Sequence, residues 1–299
     1  MLQSGLSKQL ISNKRNINMS DRIIKISRNT KNAPENSVST QTVAFSHYNN
    51  ISAQLPIDPK TDSIVAGSIK EQAMQCLINI KAIVESVGHV MNDVIKINVF
   101  LKDISDIEVV DKVYSTFFQD YFPTRTTIAV DALPMGDALV QMDAVISNGE
   151  GTTPQPPCDL MKVAKNTKNA PQHNVTTQTV AFSHYNHISA QLPINPKTGA
   201  IVSGGIREQT KQSLQNIKEI LTSIDVPFDD IVKINIFLKD LSDTDVVNDV
   251  YSTFFPDSAI ARSVAYFPAR TVMAATALSM DALVQVDAVV SHGEGTPPQ

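Results

Sequence analysis

The chain has 299 residues, 42% of them hydrophobic and 18% charged, with a net charge of -5. This is more than one ordinary domain requires, and the composition is globular, neither disordered nor fibrous. No basic run is longer than Lys14-Arg15 and no apolar run reaches the roughly 20 residues of a membrane span, which excludes a phosphate-neutralising stripe and a spanning helix.

In chain order, the first twenty residues contain Lys8, Lys14 and Arg15 and no acid. They read as an N-terminal tail, with an organellar transit peptide as the alternative. Three short strands are predicted near residues 23–28, 41–46 and 49–54. The run "IKEQAMQCLINIKAIVESVG" then places Ile69, Ala73, Cys76, Leu77, Ile80, Ile83 and Val84 on one helical face. In "DVIKINVFLKD", Ile95, Ile97, Val99 and Leu101 alternate with Lys96, Asn98, Phe100 and Lys102, predicting a half-buried strand. A second helix carries the stripe Val109, Val110, Val113, Tyr114, Phe117 and Phe118, and "RTTIAVDAL" and "LVQMDAVIS" supply two closing strands. The order β-β-β-α-β-α-β-β predicts an α+β domain, a mixed sheet with both helices on one face.

Nearly all of this occurs twice. "NTKNAPENSVSTQTVAFSHYNNISAQLPIDPKTDSIV" returns as "NTKNAPQHNVTTQTVAFSHYNHISAQLPINPKTGAIV". Thr30 answers to Thr167, an offset of 137, and Arg125 to Arg270, an offset of 145, because the second copy carries extra residues near 258–265. Such long repeats are two homologous globular domains, not solenoid units. The predicted layout is a tail at 1–20, domains at 21–149 and 159–293, a linker at 150–158 containing Pro154, Pro156 and Pro157, and a tail at 294–299. Cys76 and Cys158, one in a helix and one in the linker, are too few for a disulfide framework.

The last strand poses a problem. Val140, Met142, Ala144 and Ile146 form an apolar face suited to lie under the helices, yet Leu139, Gln141, Asp143 and Val145 opposite are too apolar for solvent alone. A second sheet from another domain is the simplest cover, leaving a groove lined by Gln141, Asp143 and Arg125. His184 and His187 are three apart but lack a third ligand for zinc, and His47 and His184 fall near a hairpin turn as solvated side chains. No phosphate-binding glycine loop is present; "GGIRE" at 204–208 lacks the required lysine.

The ordered motifs "KNAP", "TQTV", "ISAQLPIDPKT", "DVIKINVFLKD", "YSTFF", "FPTR" and "VQMDAV" resemble the RidA (YjgF) family, once labelled endoribonucleases, across nearly all of both repeats. The resemblance implies two chorismate-mutase-like domains that assemble as trimers with clefts between neighbouring domains. It also implies hydrolysis of reactive imines or enamines of the 2-aminoacrylate type to 2-keto acids and ammonia, with no cofactor and no metal. Arg125 and Arg270 match the family arginine that grips the substrate carboxylate, a role suited to a permanently charged planar fork. Their alternative is a salt bridge to Asp143 or Asp287. Gln141 and Gln285 stand where the family carries its acid, Ser39 and Thr176 where it carries a tyrosine, and Ala53 and Ala190 where it carries a glycine. An amide positions water but is no general base.

The resemblance thus implies Gln141 and Gln285 as water-positioning catalytic residues. It implies substrate contacts from Arg125, Arg270, Thr127, Met273, Ser52, Ala53, Ser189, Ala190, Phe118 and Phe255. The expected partner is a small carboxylate-bearing imine or enamine, not nucleic acid or membrane, in the cytoplasm or mitochondrial matrix. Competing readings are a non-catalytic binder of small carboxylates and an endoribonuclease. Because two domains cannot fill rings of three, a homotrimer with two rings is expected, its pockets lying between different chains.

Overall fold

The structure of the chain is a computed structural model that describes residues 25–149, 151–152, 162–255 and 267–291. The predicted tails, nearly all of the linker with Cys158, and the extra residues 258–265 lie outside the described residues. In the first repeat β1 (Ile26–Arg28), β2 (Thr42–Phe45) and β3 (Tyr48–Gln54) form antiparallel ribbons, followed by a short hairpin of β4 (Ile57–Asp58) and β5 (Ser63–Ile64). Then come α1 (Ile69–Ser86), β6 (Val94–Leu101), α2 (Ile107–Tyr114), β7 (Thr124–Ala129) and β8 (Val140–Ser147). The sheet order is β1-β2-β3-β8-β6-β7, mixed because β6 and β7 run parallel.

The second repeat rebuilds this with β9 (Val163–Lys165), β10 (Thr179–Phe182), β11 (Tyr185–Gln191), α3 (Ile206–Thr222), β12 (Ile231–Leu238), α4 (Thr244–Ser252), β13 (Ala269–Ala274) and β14 (Val284–Ser291). Its sheet runs β9-β10-β11-β14-β12-β13, the same topology. Each domain is therefore α+β with two helices against one sheet face.

Local chemistry places the helices. Ser68 and Glu71 close a capping box at the start of α1, Glu71 accepting from the Ser68 backbone N–H at 2.8 Å. The preceding Gly67 sits at φ +123°, where a Cβ would also meet the Glu71 side chain at 2.8 Å. The seven apolar residues predicted for one face of α1 are all buried, and they pack on Val140, Met142, Ala144 and Ile146 of β8. α2 ends at Tyr114, so Phe117 and Phe118 extend its stripe from the following turn.

The two domains pack sheet against sheet, which changes how β6 is buried. Lys96 is buried and Asn98 and Phe100 are partly buried, so the strand is covered on both faces, not on one as the alternation predicts. Ile95 also leaves its predicted face. A register shift between Val94 and Lys96 sends it to the seam, where it clusters with Val180 and Phe182 of the second domain and with Val145. Val94 joins the first-domain core in its place. Val145 thus receives the cover that its strand required.

Polar groups stitch the same seam. The Lys96 ammonium lies 3.2 Å from the Asp287 carboxylate, both buried, and Asp287 accepts from Thr126 Oγ1 at 2.5 Å and Asn235 Nδ2 at 2.7 Å. Satisfying this carboxylate from several sides is what makes its burial tolerable. Tyr48 Oη donates to the Phe182 carbonyl at 2.6 Å, and Lys162 pairs with Asp93. Near the end of β7, Ala129 exchanges backbone hydrogen bonds with Thr276 and Ala277.

Candidate functional site

β7 of the first domain lies along β11 of the second, and the Arg125 backbone N–H donates to Ser189 Oγ at 2.9 Å. This places the Arg125 side chain, whose residue is 6% exposed, at a cavity of about 510 Å³ between the domains. The first domain contributes Glu108, Asp111, Arg125 and Thr127 to its walls. The second contributes His173, Thr176, Ser189, Ala190 and Gln285. The expectation that clefts lie between different chains does not hold for this one, which is made by the two repeats of a single chain.

The arginine is held from two sides. Its guanidinium carbon stands 5.0 Å from the centroid of the Tyr114 ring, and Nη2 is 2.7 Å from Asp111 Oδ1. The neighbouring acid is thus Asp111 on α2, not Asp143 or Asp287. Although the ion pair is close, Asp111 Oδ1 has no well-directed hydrogen bond, and Arg125 Nη1 has none either. Thr127 Oγ1 and Gln285 Oε1 are likewise buried without a partner. Three buried polar atoms without a partner, and a fourth held only in an ion pair, make this cavity the candidate ligand site.

His173 enters from the loop before β10. Gln178, buried beneath, donates through its amide to the carbonyls of Thr167, Ala170 and Pro171 and so shapes that loop. His173 Nε2 lies 3.6 Å from Asp111 Oδ2 across the domain boundary, and its Nδ1 accepts from the Val175 N–H at 3.3 Å. Burial and then the Arg125 charge lower the imidazole pKa, opposed by Asp111, so the ring is neutral at pH 7. The backbone donor to Nδ1 leaves the proton on Nε2, facing the acid.

The other predicted residues do not join this cavity. Arg270 is exposed at the edge strand β13, where its guanidinium lies 5.0 Å from the Tyr251 centroid and donates to Asn248 at 2.7 Å. Asn248 occupies the α4 position that Asp111 holds on α2. Met273 pairs with Phe237 as Ile128 pairs with Phe100, so the second-repeat counterpart of Thr127 is Val272 and not Met273. Ser52, Ala53 and Gln141 lie on the first domain away from Arg125, Ala53 being exposed. Phe118 and Phe255 are core residues packed at a tilt against Tyr114 and Tyr251, not cavity walls; they support the aromatic ring beneath each arginine.

Asp111, Glu108 and His173 were not legible as site residues. A signal existed for two of them: between nearly identical repeats, Asp111 faces Asn248 and His173 faces Asn36. His187, the counterpart of Asn50, is instead buried at the seam with neither ring nitrogen hydrogen-bonded, and burial followed by Lys96 lowers its pKa to about 3. His184 is exposed, as predicted for a hairpin turn.

The family model described as Endoribonuclease L-PSP matches residues 30–147 and again 167–292. The chain is 42% identical over 117 residues to a RutC family protein of Pyrococcus horikoshii, covering 39% of this chain and 92% of that protein. It is 36% identical over 117 residues to the 2-iminobutanoate/2-iminopropanoate deaminase of Bos taurus, covering 39% of this chain and 80% of that one. Among solved structures, RidA from an Antarctic Psychrobacter matches at 36% identity and a TM-score of 0.39, covering 41% of this chain and 98% of its own. With the motif set present in both halves, the chain belongs to the RidA/YjgF (Endoribonuclease L-PSP) family as a tandem member carrying two copies of the family domain.

Proposed function

We propose that the cleft between the repeats hydrolyses imine or enamine forms of 2-keto acids, releasing ammonia. The observation that carries this reading is the buried, unpartnered Nη1 of Arg125 at a cavity that also holds Gln285. A guanidinium edge held in low dielectric binds a carboxylate strongly. Gln285 and the Thr127 hydroxyl then hold a water beside the imine carbon. Water adds to that carbon, the C–N bond breaks, and the nitrogen leaves as ammonia. Relatives named 2-iminobutanoate/2-iminopropanoate deaminase support the reaction class. RNA cleavage is disfavoured by the net charge of -5, which repels a phosphate backbone.

The test couples a dehydratase that releases 2-aminoacrylate to detection of keto acid, with and without this protein. Acceleration over spontaneous hydrolysis is expected, and Arg125→Ala abolishes at least nine-tenths of it. Wild-type rates equal to the spontaneous rate refute the enzyme and favour a non-catalytic carboxylate binder, the reading to which Gln in place of an acid at 141 and 285 points.

The site residues on the two outer edges belong to the same proposal. Arg270 on β13 corresponds to Arg125, and Ser52, Ala53 and Gln141 correspond to Ser189, Ala190 and Gln285, yet these halves do not meet within the chain. Copies of the chain joined through these edges, three in the expected assembly, would complete further clefts. Phe267 and Met273, 55% and 40% exposed, give the β13 edge apolar surface to bury. Light scattering after size exclusion at micromolar concentration is expected to give the mass of three chains of 32.6 kDa; a mass of one or two chains refutes the trimer.

A further inference from the structure

We propose that Asp111 makes the cleft between the repeats selective for ligands bearing both a carboxylate and a positively charged nitrogen, such as iminium or amino acids, over plain carboxylates. The inference rests on the carboxylate-binding role of Arg125 and extends it to the opposite charge. The unsatisfied atoms around the cavity are of two kinds. Arg125 Nη1 is a donor and requires an acceptor on the ligand. Asp111 Oδ1, held 2.7 Å from Arg125 Nη2 without a well-directed hydrogen bond, is an acceptor only and has lone-pair capacity left for a donor on the ligand. Thr127 Oγ1 serves either need, and Gln285 can offer either end of its amide.

A keto acid presents acceptors alone. It satisfies the arginine and leaves the buried Asp111 oxygen facing more negative charge. A carboxylate flanked by an N–H-bearing cation satisfies both sides at once. The charge count agrees: with His173 neutral, Glu108 and Asp111 outnumber Arg125 along the walls, a poor setting for a simple anion. His173 Nε2 stands 3.6 Å from Asp111 Oδ2, beyond hydrogen-bond reach, and leaves the carboxylate charged. In the second repeat the corresponding α4 residue is Asn248, so the Arg270 edge lacks this preference. Since hydrolysis converts an N–H-bearing substrate to a keto acid, the same residue favours release of the product.

The test uses the full chain with Arg270→Ala, which isolates the Arg125 cleft, and isothermal titration with 2-aminobutanoate and 2-oxobutanoate. Asp111→Asn keeps the shape and installs the residue already tolerated at position 248. Aminobutanoate is expected to bind tenfold or more tighter than oxobutanoate, and Asp111→Asn to remove that ratio by weakening the first and tightening the second. A charge-assisted hydrogen bond is worth at least that factor. Equal loss of both ligands assigns Asp111 a merely structural role and overturns the proposal, as does an unchanged ratio or failure of aminobutanoate to bind. If selectivity behaves as expected while keto-acid release stays at the spontaneous rate, the deaminase reading fails and the selectivity stands.

Discussion

β7 and β13 are the same strand in two settings. Every residue of Thr124–Ala129 is buried, whereas Ala269–Ala274 is exposed or only partly covered along its length. Their sequences, "TRTTIA" and "ARTVMA", differ too little to explain this. The difference is the neighbour: β7 lies along β11 of the second domain, and no described part of the chain covers β13 in that way. A guanidinium that is a buried electrostatic element in one repeat is a solvated side chain in the other. The identity of a functional residue therefore sets its chemistry only together with the surface facing it.

The seam carboxylates sharpen this contrast most strongly. Asp287 is 1% exposed and compensates the buried Lys96 ammonium, so Asp287→Ala strands a charge and is expected to destabilise by about 3–5 kcal/mol. Asp143, its first-repeat counterpart, is half-buried and receives Asn98 Nδ2 at 2.7 Å. Its pKa is raised by burial, and Asp143→Ala is expected to cost only about 1 kcal/mol. Urea denaturation of both variants provides the measurement. Equal losses would break the comparison.

A smaller effect comes from His187, which takes the place of Asn50. Folded, the ring resists protonation down to about pH 3; unfolded, it takes a proton near the ordinary imidazole value of 6.5. The unfolded state therefore binds more protons between these limits, and stability contributed by the neutral ring is lost as pH falls through that window. At pH 5 the loss is about 2 kcal/mol. His187→Asn is expected to narrow the difference in unfolding free energy between pH 7 and pH 5 by that amount. An unaltered pH dependence would mean that the seam opens enough to hydrate the ring.

Much of this was legible in the sequence because it follows from periodicity and repetition. The duplicated domain, the buried face of α1, the strand under it and the need to cover Val145 all come from local pattern. Arg125 was legible because its motif stands out twice. Asp111 and His173 were not, since they meet only when two elements from different repeats converge, a long-range fact that periodicity does not encode. Ile95 escaped for a different reason: one register shift moves a residue to the opposite face of a strand. The β7 neighbour escaped because the alternation of β6 describes a strand and not what packs upon it.

Building one cleft from two non-identical repeats has an evolutionary consequence. In a ring of identical subunits, a substitution is repeated in every cleft at once. Here Asp111 and Arg125 come from the first repeat and His173 and Gln285 from the second, each written once in the gene. This cleft can therefore drift without altering the counterpart surface around Arg270. Selection on this asymmetric cleft acts apart from selection on the Arg270 surface, and a change at Asp111 leaves the matching Asn248 untouched.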